Sequence, residues 1–235
     1  MADEYLADSR GDVRSRERGA PFAYIGAQLQ TMVSDLIAHA DLAPGDRVLD
    51  YGCADAPYRD LLPPGVVHVG ADLAGNPEAQ VTLDADGRLP LPDASFAAVL
   101  SSQVLEHVRD PALYLAECER VLVPGGHLIC STHGLMYYHP DPHDLWRWTS
   151  EGLRAIVTDA GFDVVEQRGV AGLAAAALQL WQEATWWKVP KPLRRWYIYA
   201  AQRAIGAIDR RGTEEGRVMN GLVLALLARK PEAAA

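Results

Sequence analysis

Residues 47–57 read R-V-L-D-Y-G-C-A-D-A-P. The apolar pair V-L is followed by Asp50 and Gly52, and this pattern is typical of a buried strand that ends in a tight turn. Because Gly52 has no Cβ, the backbone can turn sharply there and approach a ligand. About twenty residues later, V-V-H-V-G-A-D-L predicts a second strand that ends at Asp72. If the two strands are parallel neighbours, the Asp72 carboxylate can accept both hydroxyls of a ribose.

Length and composition favour a single large domain. The chain has 235 residues, of which 49% are hydrophobic, and such a chain can bury a full core. No basic segment precedes an apolar stretch, and no apolar run reaches the roughly 18 residues of a membrane span. The three cysteines lack metal-ligand spacing and are expected to be reduced. We therefore expect a cytoplasmic enzyme.

The charge distribution is uneven. A formal net charge of −9 argues against binding to nucleic acid by the protein as a whole. Residues 188–217, however, contain eight Lys and Arg residues against three acids. Three interpretations of this local excess of positive charge are open: a solvated helix face, a contact with an anionic substrate, or a contact with a membrane surface.

Predicted strands alternate with predicted helices along the chain. Apolar spacing and capping residues predict helices over residues 22–40, 58–62, 110–122, 149–160 and 171–211. Short apolar runs predict strands over residues 66–71, 81–83, 97–101, 127–131, 162–167 and 221–228, in addition to the strand before Gly52. This alternation indicates a parallel sheet with helices on both faces.

Six motifs in this order resemble the class I S-adenosylmethionine (SAM) methyltransferase family, of the bacterial sugar and natural-product type. They lie within residues 45–170 and read V-L-D-Y-G-C-A-D-A, V-G-A-D-L, L-P-L-P-D-A-S-F-A-A-V, V-L-E-H-V, R-V-L-V-P-G-G and A-G-F-D-V-V. The resemblance implies an α/β fold: a doubly wound, mostly parallel seven-stranded sheet with an antiparallel last strand, plus a helical cap. It also implies SAM as the cofactor.

Because the sequence contains no internal repeat and no low-complexity linker, we expect residues 1–235 to form one methyltransferase domain. An N-terminal arm and helix would occupy residues 1–43, and the SAM-binding core residues 44–133. Residues 134–150 and 171–215 would form the cap and acceptor region, followed by the last strand and tail over residues 216–235.

The glycine-rich turn departs from the family pattern D-x-G-x-G-x-G. Alanine occupies positions 54 and 56, and alanine tolerates positive φ poorly. We therefore expect this turn to have a fixed variant shape.

The resemblance assigns cofactor roles to residues at the strand ends. Asp50 would orient the turn or reach the ammonium of SAM through water, Asp72 would bind the ribose, and Leu73 would flank the adenine. Asp84 with Ala85 would line the adenine rim, although a turn-capping role for Asp84 remains open. The full predicted cofactor set is Tyr24, Asp50, Gly52, Cys53, Ala54, Asp72, Leu73, Asp84, Ala85, Ser101, Ser102 and Gln103.

Two other interpretations of the same motifs are less favoured. A nicotinamide dehydrogenase would need G-x-G-x-x-G, but after Gly52 the next glycine is Gly65. A divalent metal held by E-x-x-E-H, as in some related methyltransferases, would need a carboxylate where this chain has Gln103. The histidines after the fifth strand lack cysteine partners and the H-x-x-x-H spacing of a zinc site. No metal site is therefore predicted.

The loop after the fifth strand is the most distinctive segment and reads H-G-L-M-Y-Y-H-P-D-P-H-D-L-W-R-W-T over residues 133–149. Because histidine titrates near neutral pH, it suits a general base for a hydroxyl acceptor. The candidate catalytic residues are His139, His107 and His133. The candidate substrate-binding residues are Tyr137, His143, Arg147 and Trp148. A structural pair between Asp144 and Arg147 is the alternative for that arginine.

The expected partner is a small-molecule acceptor: a sugar, a nucleotide sugar or a glycolipid. Aromatic residues interleave with cations over residues 186–199, which makes that segment a candidate for membrane contact as well as for core packing. We predict a SAM-dependent methyltransferase acting on O or N of a small sugar-containing or nucleotide-linked metabolite in a bacterial biosynthetic pathway. The alternative is a SAM-fold protein that binds a nucleoside-type ligand without methyl transfer, as a partner subunit or as an enzyme of another reaction.

Overall fold

The computed structural model describes residues 20–84, 88–139 and 143–232, which form a seven-stranded sheet flanked by helices. In chain order the strands are β1 (Arg47–Tyr51), β2 (Val67–Asp72), β3 (Val81–Thr82), β4 (Phe96–Ser102), β5 (Leu122–His133), β6 (Asp163–Val170) and β7 (Val223–Arg229). Their order across the sheet is β3-β2-β1-β4-β5-β7-β6, and β7 pairs antiparallel with β5 and β6. The predicted mostly parallel sheet with an antiparallel last strand is confirmed.

Helices flank the sheet, and side-chain caps mark where some of them begin. They are α1 (Ala23–His39), α2 (Pro111–Val121), α3 (Ser150–Asp159), α4 (Leu173–Thr185), α5 (Lys191–Asp209) and α6 (Glu214–Asn220). Asp110 caps α2 by accepting the Leu113 N–H, and Thr149 caps α3 by accepting the Gly152 N–H. Within the described residues, no helix combines the length and the apolar character that crossing a membrane requires.

The core has two halves, one on each face of the sheet. Val48 of β1 packs in the half that contains α1 and the buried side of α4, whereas Leu49 packs in the half that contains α2 and α3. Successive strand residues point to opposite faces, so a strand that is buried on both sides needs a continuous apolar run. Covering both faces leaves the strand ends as the place for a site.

The register brings the ends of the central parallel strands to one edge. Asp50 lies beside Gly70 of β2 and beside Leu100 of β4. The carboxyl ends of β1, β2 and β4 therefore meet at the edge where open α/β sheets bind their ligands.

Some predicted elements differ from the structure. The segment after Pro57 forms only a short 3₁₀ turn, Arg59–Leu61, instead of a helix. The tight turn before it and the Pro63–Pro64 pair after it leave too few residues for successive α-helical hydrogen bonds. Residues 171–211 are two helices joined by a 3₁₀ turn, Trp186–Lys188, because Pro190 and Pro192 interrupt the backbone ladder. Helix α6 was not predicted.

The predicted N-terminal arm lies mostly outside the described residues, because the description begins at residue 20. The division of the chain into core, cap and tail stays a prediction.

Candidate active site

The turn after β1 is built around Gly52. Its φ is +82°, and an added Cβ would lie 2.5 Å from Val104 Cγ2. The backbone N–H groups of Gly52 and Cys53 both donate to the Ala71 carbonyl, at 2.8 and 3.2 Å. Glycine is therefore required here both for the left-handed backbone and for the space that its missing side chain leaves.

The two alanines of the turn adopt the conformation that glycine would favour. Ala54 has φ +45° and Ala56 has φ +51°. We expected alanine to give this turn a variant shape, but the left-handed backbone recurs at residues 52, 54 and 56. A non-glycine residue in this region costs on the order of 1 kcal/mol, so other contacts must stabilise the turn.

Asp72, at the end of β2, supplies those contacts. Its Oδ2 accepts the Ala54 N–H at 2.8 Å and the Asn76 side-chain amide at 2.6 Å, while Oδ1 accepts the Leu73 N–H at 2.7 Å. The Asn76 amide also donates to the Ala54 carbonyl, at 2.8 Å. A carboxylate accommodates about four donors, so three of these positions are used inside the protein. Asn76 was missed because nothing in its local sequence distinguishes it from an ordinary turn residue.

Asp50 has a partner that sequence reasoning also missed. Its Oδ2 lies 3.0 Å from Nε2 of His68 on β2, and both side chains are buried. The imidazole therefore fixes the Asp50 carboxylate at the end of β1, while the predicted role of Asp50 in orienting the turn stays a prediction. The register could have suggested the pair, because these two residues lie on adjacent parallel strands.

The predicted adenine-side residues are only partly supported. Leu73 is exposed beside Asp72, as an adenine contact requires. Asp84 accepts the Arg88 N–H at 2.7 Å, so it caps a turn as the alternative interpretation proposed. Ala85 lies outside the described residues.

The residues after β4 differ in what they can offer a ligand. Ser101 and Ser102 are buried, and their hydroxyls bond to Tyr114, Tyr58 and Ser131. These contacts indicate that both serines brace the strand end instead of binding a cofactor through their hydroxyls. Gln103 has φ +59°, and its amide nitrogen donates to Ser131 Oγ at 3.1 Å. Its Oε1 is buried and has no hydrogen-bond partner among the described residues, which leaves an acceptor for a ligand donor.

Tyr24 and Cys53 also have internal surroundings. The Tyr24 hydroxyl donates to Asp209 Oδ2 at 3.0 Å, and its N–H donates to Gln202 on α5. Burial, together with the negative charge of Asp209, raises the pKa of Tyr24 to about 12. Tyr24 therefore joins α1 to α5, and its predicted cofactor role gains no support. The Cys53 side chain is buried, so only its backbone lines the turn.

Three histidines from two separate segments of the chain converge in the structure. The ring centroids of His107, His133 and His139 lie 6.0–6.2 Å from one another. Nδ1 of His107 donates to the carbonyl of His143, because a carbonyl can only accept. In neutral His107 the lone pair therefore lies on Nε2, the nitrogen that a general base would use.

Glu106 lies under this cluster and was not among the predicted site residues. It is fully buried, and its Oε2 accepts a hydrogen bond from Thr132 Oγ1 at 2.8 Å. Its Oε1 lies 3.2 Å from His133 Nε2, without good hydrogen-bond geometry, and 3.9 Å from His107 Nε2. Burial raises the pKa of Glu106 to about 7. A carboxyl with such a pKa gains and loses its proton within the physiological pH range.

His133 is a poor general base at neutral pH. Burial, assisted by the positive charge of Arg147, lowers its pKa to about 3. Of the three predicted bases, His133 is thus the one that the structure favours least, and its imidazole stays neutral beside Glu106.

Arg147 holds the loop together. Its Nε donates to the Met136 carbonyl, and its two NH₂ groups donate to both Asp144 oxygens and to the carbonyls of Trp146 and Tyr137. A guanidinium has five donors, and these contacts use all of them. The predicted substrate-binding role of Arg147 is therefore not supported, and the alternative structural pair with Asp144 is confirmed.

Two of the other predicted substrate-binding residues, His143 and Trp148, contact the histidine cluster. His143 is exposed and contributes its carbonyl to His107, while Trp148 is half-buried and donates its backbone N–H to the His133 carbonyl. Tyr137 stacks on Phe22 with ring centroids 6.1 Å apart. Among the described residues, no group of three or more His, Cys, Asp or Glu side chains is arranged to hold a metal ion.

Comparison with known proteins agrees with this architecture. Residues 49–130 match a family described as a methyltransferase domain. A protein of Mycolicibacterium smegmatis described as a probable SAM-dependent methyltransferase is 33% identical over 149 residues, covering 55% of this chain and 58% of that protein. A ubiquinone biosynthesis O-methyltransferase of Dinoroseobacter shibae is 30% identical over 158 residues, covering 54% and 63%. The matched segments thus span about three fifths of the length of these curated relatives.

The fold extends beyond the matched segment. The crystal structure of the cyclase SpnF aligns over 99% of this chain and 93% of its own, with a TM-score of 0.61 and 20% identity. This likeness concerns the fold alone. Residues 49–130 thus match a methyltransferase domain, and the curated relatives and the sheet order resemble those of the class I SAM-dependent methyltransferase family.

Proposed function

We propose that this protein is a SAM-dependent methyltransferase that acts on an oxygen or nitrogen of a small metabolite. The observation that carries this proposal is the turn at residues 52–56, which keeps its left-handed backbone and faces the Asp72 carboxylate. The unpartnered Gln103 Oε1 also suits a ligand lying along the strand ends.

The residues present fit the cofactor. One acceptor position of the Asp72 carboxylate suits a ribose hydroxyl, exposed Leu73 suits one face of adenine, and Gln103 Oε1 suits the ammonium group. When bound, SAM supplies an electrophilic methyl group on a sulfonium. The protein then has to align an acceptor with that methyl group and exclude water, because in-line displacement depends mainly on alignment.

For a hydroxyl acceptor, we propose His107 as the general base. The carbonyl of His143 fixes the proton on its Nδ1, which directs the basic Nε2 into the cluster that also contains Glu106. A proton taken up by His107 is stabilised by the Glu106 carboxylate 3.9 Å away, or moves onto that carboxylate. His139, in the same cluster, remains the second candidate.

We propose that the acceptor is a sugar-containing or nucleotide-linked metabolite of a bacterial biosynthetic pathway. The half-buried Tyr137, the exposed His143 and the half-buried Trp148 offer stacking surfaces and polar groups to such a molecule. The ubiquinone-pathway relative methylates an oxygen according to its name, which supports oxygen over nitrogen. A phenol should therefore be tested beside sugars.

The test combines two measurements on protein stripped of ligand. Isothermal titration should detect SAM and S-adenosylhomocysteine, and transfer of a labelled methyl group should then be screened over sugars, nucleotide sugars and phenols. Binding without transfer to any acceptor would favour the alternative, a nucleoside-binding protein of this fold. Absence of binding at millimolar SAM would remove both the cofactor and the proposed reaction.

A further inference from the structure

Exposed large apolar side chains are concentrated where α4 turns into α5. Within residues 181–199, which we call the hairpin tip, five large apolar side chains are exposed: Trp181, Trp187, Leu193, Trp196 and Tyr199. Trp186, in contrast, is buried and packs in the interior. Tryptophan and tyrosine in this number on a surface need an explanation, because isolated exposed apolar residues are common but clusters mark contact sites.

The exposed charges around the hairpin tip are positive, because the acid within it, Glu183, is buried. Between Ala184 and Ile208 the sequence contains five cations, Lys188, Lys191, Arg194, Arg195 and Arg203, and no acid, although the chain as a whole has a formal charge of −9. Lys191 and Arg195 lie four residues apart on α5, so they share one side of the helix. The ammonium of Lys188 lies 5.2 Å from the centre of the Trp187 ring. The exposed Trp187 ring thus lies beside a cation.

Local contacts hold this arrangement. The Thr185 and Tyr197 hydroxyls bond across the hairpin at 2.6 Å. Arg194 turns inward, donates to the Trp187 and Val189 carbonyls, and lies over the buried Trp186 ring at 5.3 Å. The exposed rings are therefore presented by a braced turn, so that binding would require little additional ordering.

We infer that the hairpin tip docks onto the surface of an anionic phospholipid bilayer. Amphipathic rings such as tryptophan lie at the level of lipid headgroups, and basic residues beside them are attracted by anionic lipid. In a symmetric pair of copies the cations of one tip would face those of the other, so charge favours an anionic bilayer over a dimer formed through this surface. No span of the membrane is involved, and the inference does not depend on methyl transfer.

Vesicle sedimentation tests this inference on the full chain. The protein should sediment with vesicles of phosphatidylglycerol and phosphatidylcholine but not with phosphatidylcholine alone, and binding should weaken as salt screens the charges. Replacing both Trp187 and Trp196 with Ala should weaken binding by on the order of tenfold for each ring removed. Arg195→Glu should weaken it by about fivefold or more.

Matched controls come from the far ends of the same helices. Leu193→Ala in the tip should weaken binding, whereas Leu173→Ala, which removes a similarly exposed leucine (61% against 55%) at the opposite end of α4, should not. Arg211→Glu, just beyond the end of α5, is the control for Arg195→Glu.

Three results would overturn the inference. The first is no sedimentation with anionic vesicles. The second is binding that the tip variants and the control variants reduce equally. The third is a concentration-dependent dimer that loses its stability on replacement of Trp187 and Trp196, with no vesicle binding, since it would identify a second copy as the occupant. Unchanged circular dichroism of each variant ensures that the fold is intact.

Discussion

Glu106 should make the stability of this protein depend on pH in a way that one isosteric substitution removes. Its carboxyl is fully buried beneath the histidine cluster, and burial raises its pKa from 4.5 to about 7. Between these values the folded protein holds a proton that the unfolded chain has released. The free energy of unfolding therefore falls as the pH rises through this interval.

The magnitude follows from the size of the shift. Each pKa unit corresponds to about 1.4 kcal/mol, so a shift of this size lowers the free energy of unfolding by about 3 kcal/mol between pH 4.5 and pH 8. Glu106→Gln keeps the shape and cannot ionise. The stabilisation by protonated Glu106 is fully present below pH 4.5 and is lost above about pH 7. The free energy of unfolding of the variant, relative to that of the wild type, should therefore rise by about 3 kcal/mol from pH 4.5 to pH 8.

The assay is urea unfolding of both proteins at half-unit steps from pH 4.5 to pH 8.5. Subtraction of the wild-type curve from the variant curve removes contributions of distant groups. His133, whose pKa burial lowers to about 3, acts in the opposite direction below pH 6.5, and His133→Asn in both backgrounds separates that contribution. Glu183→Gln is a matched control, because burial also raises the pKa of Glu183 to about 7, on helix α4.

A stability difference between Glu106→Gln and wild type that stays constant with pH would refute the reasoning. It would mean that the pKa of Glu106 in the folded protein lies near its ordinary value of 4.5, so that its carboxylate would not hold a proton taken from His107 near neutral pH. The same conclusion would follow if the free energy of unfolding of Glu183→Gln relative to wild type changed with pH while that of Glu106→Gln did not.

The remaining predictions concern SAM binding, the stability of the turn at residues 52–56, and turnover. Asp72→Ala should weaken SAM binding in isothermal titration by roughly 1.5–3 kcal/mol and also destabilise the turn, so Asp72→Asn separates the two effects; unchanged affinity in both would mean that the ribose lies elsewhere. Ala54→Gly and Ala56→Gly should each raise the free energy of unfolding by up to about 1 kcal/mol, as urea unfolding can measure; a loss of stability would contradict the strain assigned to these alanines. His107→Ala should slow turnover on the identified acceptor by about a hundredfold or more with SAM affinity unchanged, and a larger effect of His139→Ala would make His139 the base.

Much of the fold could be predicted because its signals are local. The Asp110 and Thr149 caps mark the starts of α2 and α3, and the run before Gly52 marks β1. The 3₁₀ turn after Pro57 could not be predicted in this way, since Tyr58 and Leu61 have helical spacing while flanking prolines decide the outcome. Helix α6 is short and has no buried residue, so it lacks the apolar periodicity that sequence analysis detects.

The site was predictable in its members but less so in their roles. His107, His133 and His139 were singled out from chemistry alone, and the fold brings them together. Their order of preference depends on burial, which the sequence does not display: His133 is almost completely enclosed, and its pKa falls accordingly. Arg147 was assigned to the substrate because arginine binds anions well, whereas its five donors are all used by the loop itself.

The bracing by Arg147 also explains why Glu106 is buried at all. Leu145 and Trp146 both donate their N–H groups to the Glu106 carbonyl, at 2.9 and 3.2 Å, so the loop lies directly on the segment that contains Glu106. Arg147 and Asp144 fix the loop in that position, since Asp144 also accepts the His139 N–H at 2.6 Å. Loss of this bracing would admit water to Glu106 and return its pKa towards 4.5. Arg147→Lys, which keeps the charge but not the five donors, should therefore flatten the pH dependence of stability that Glu106 causes, whereas a role confined to the substrate would leave that dependence intact.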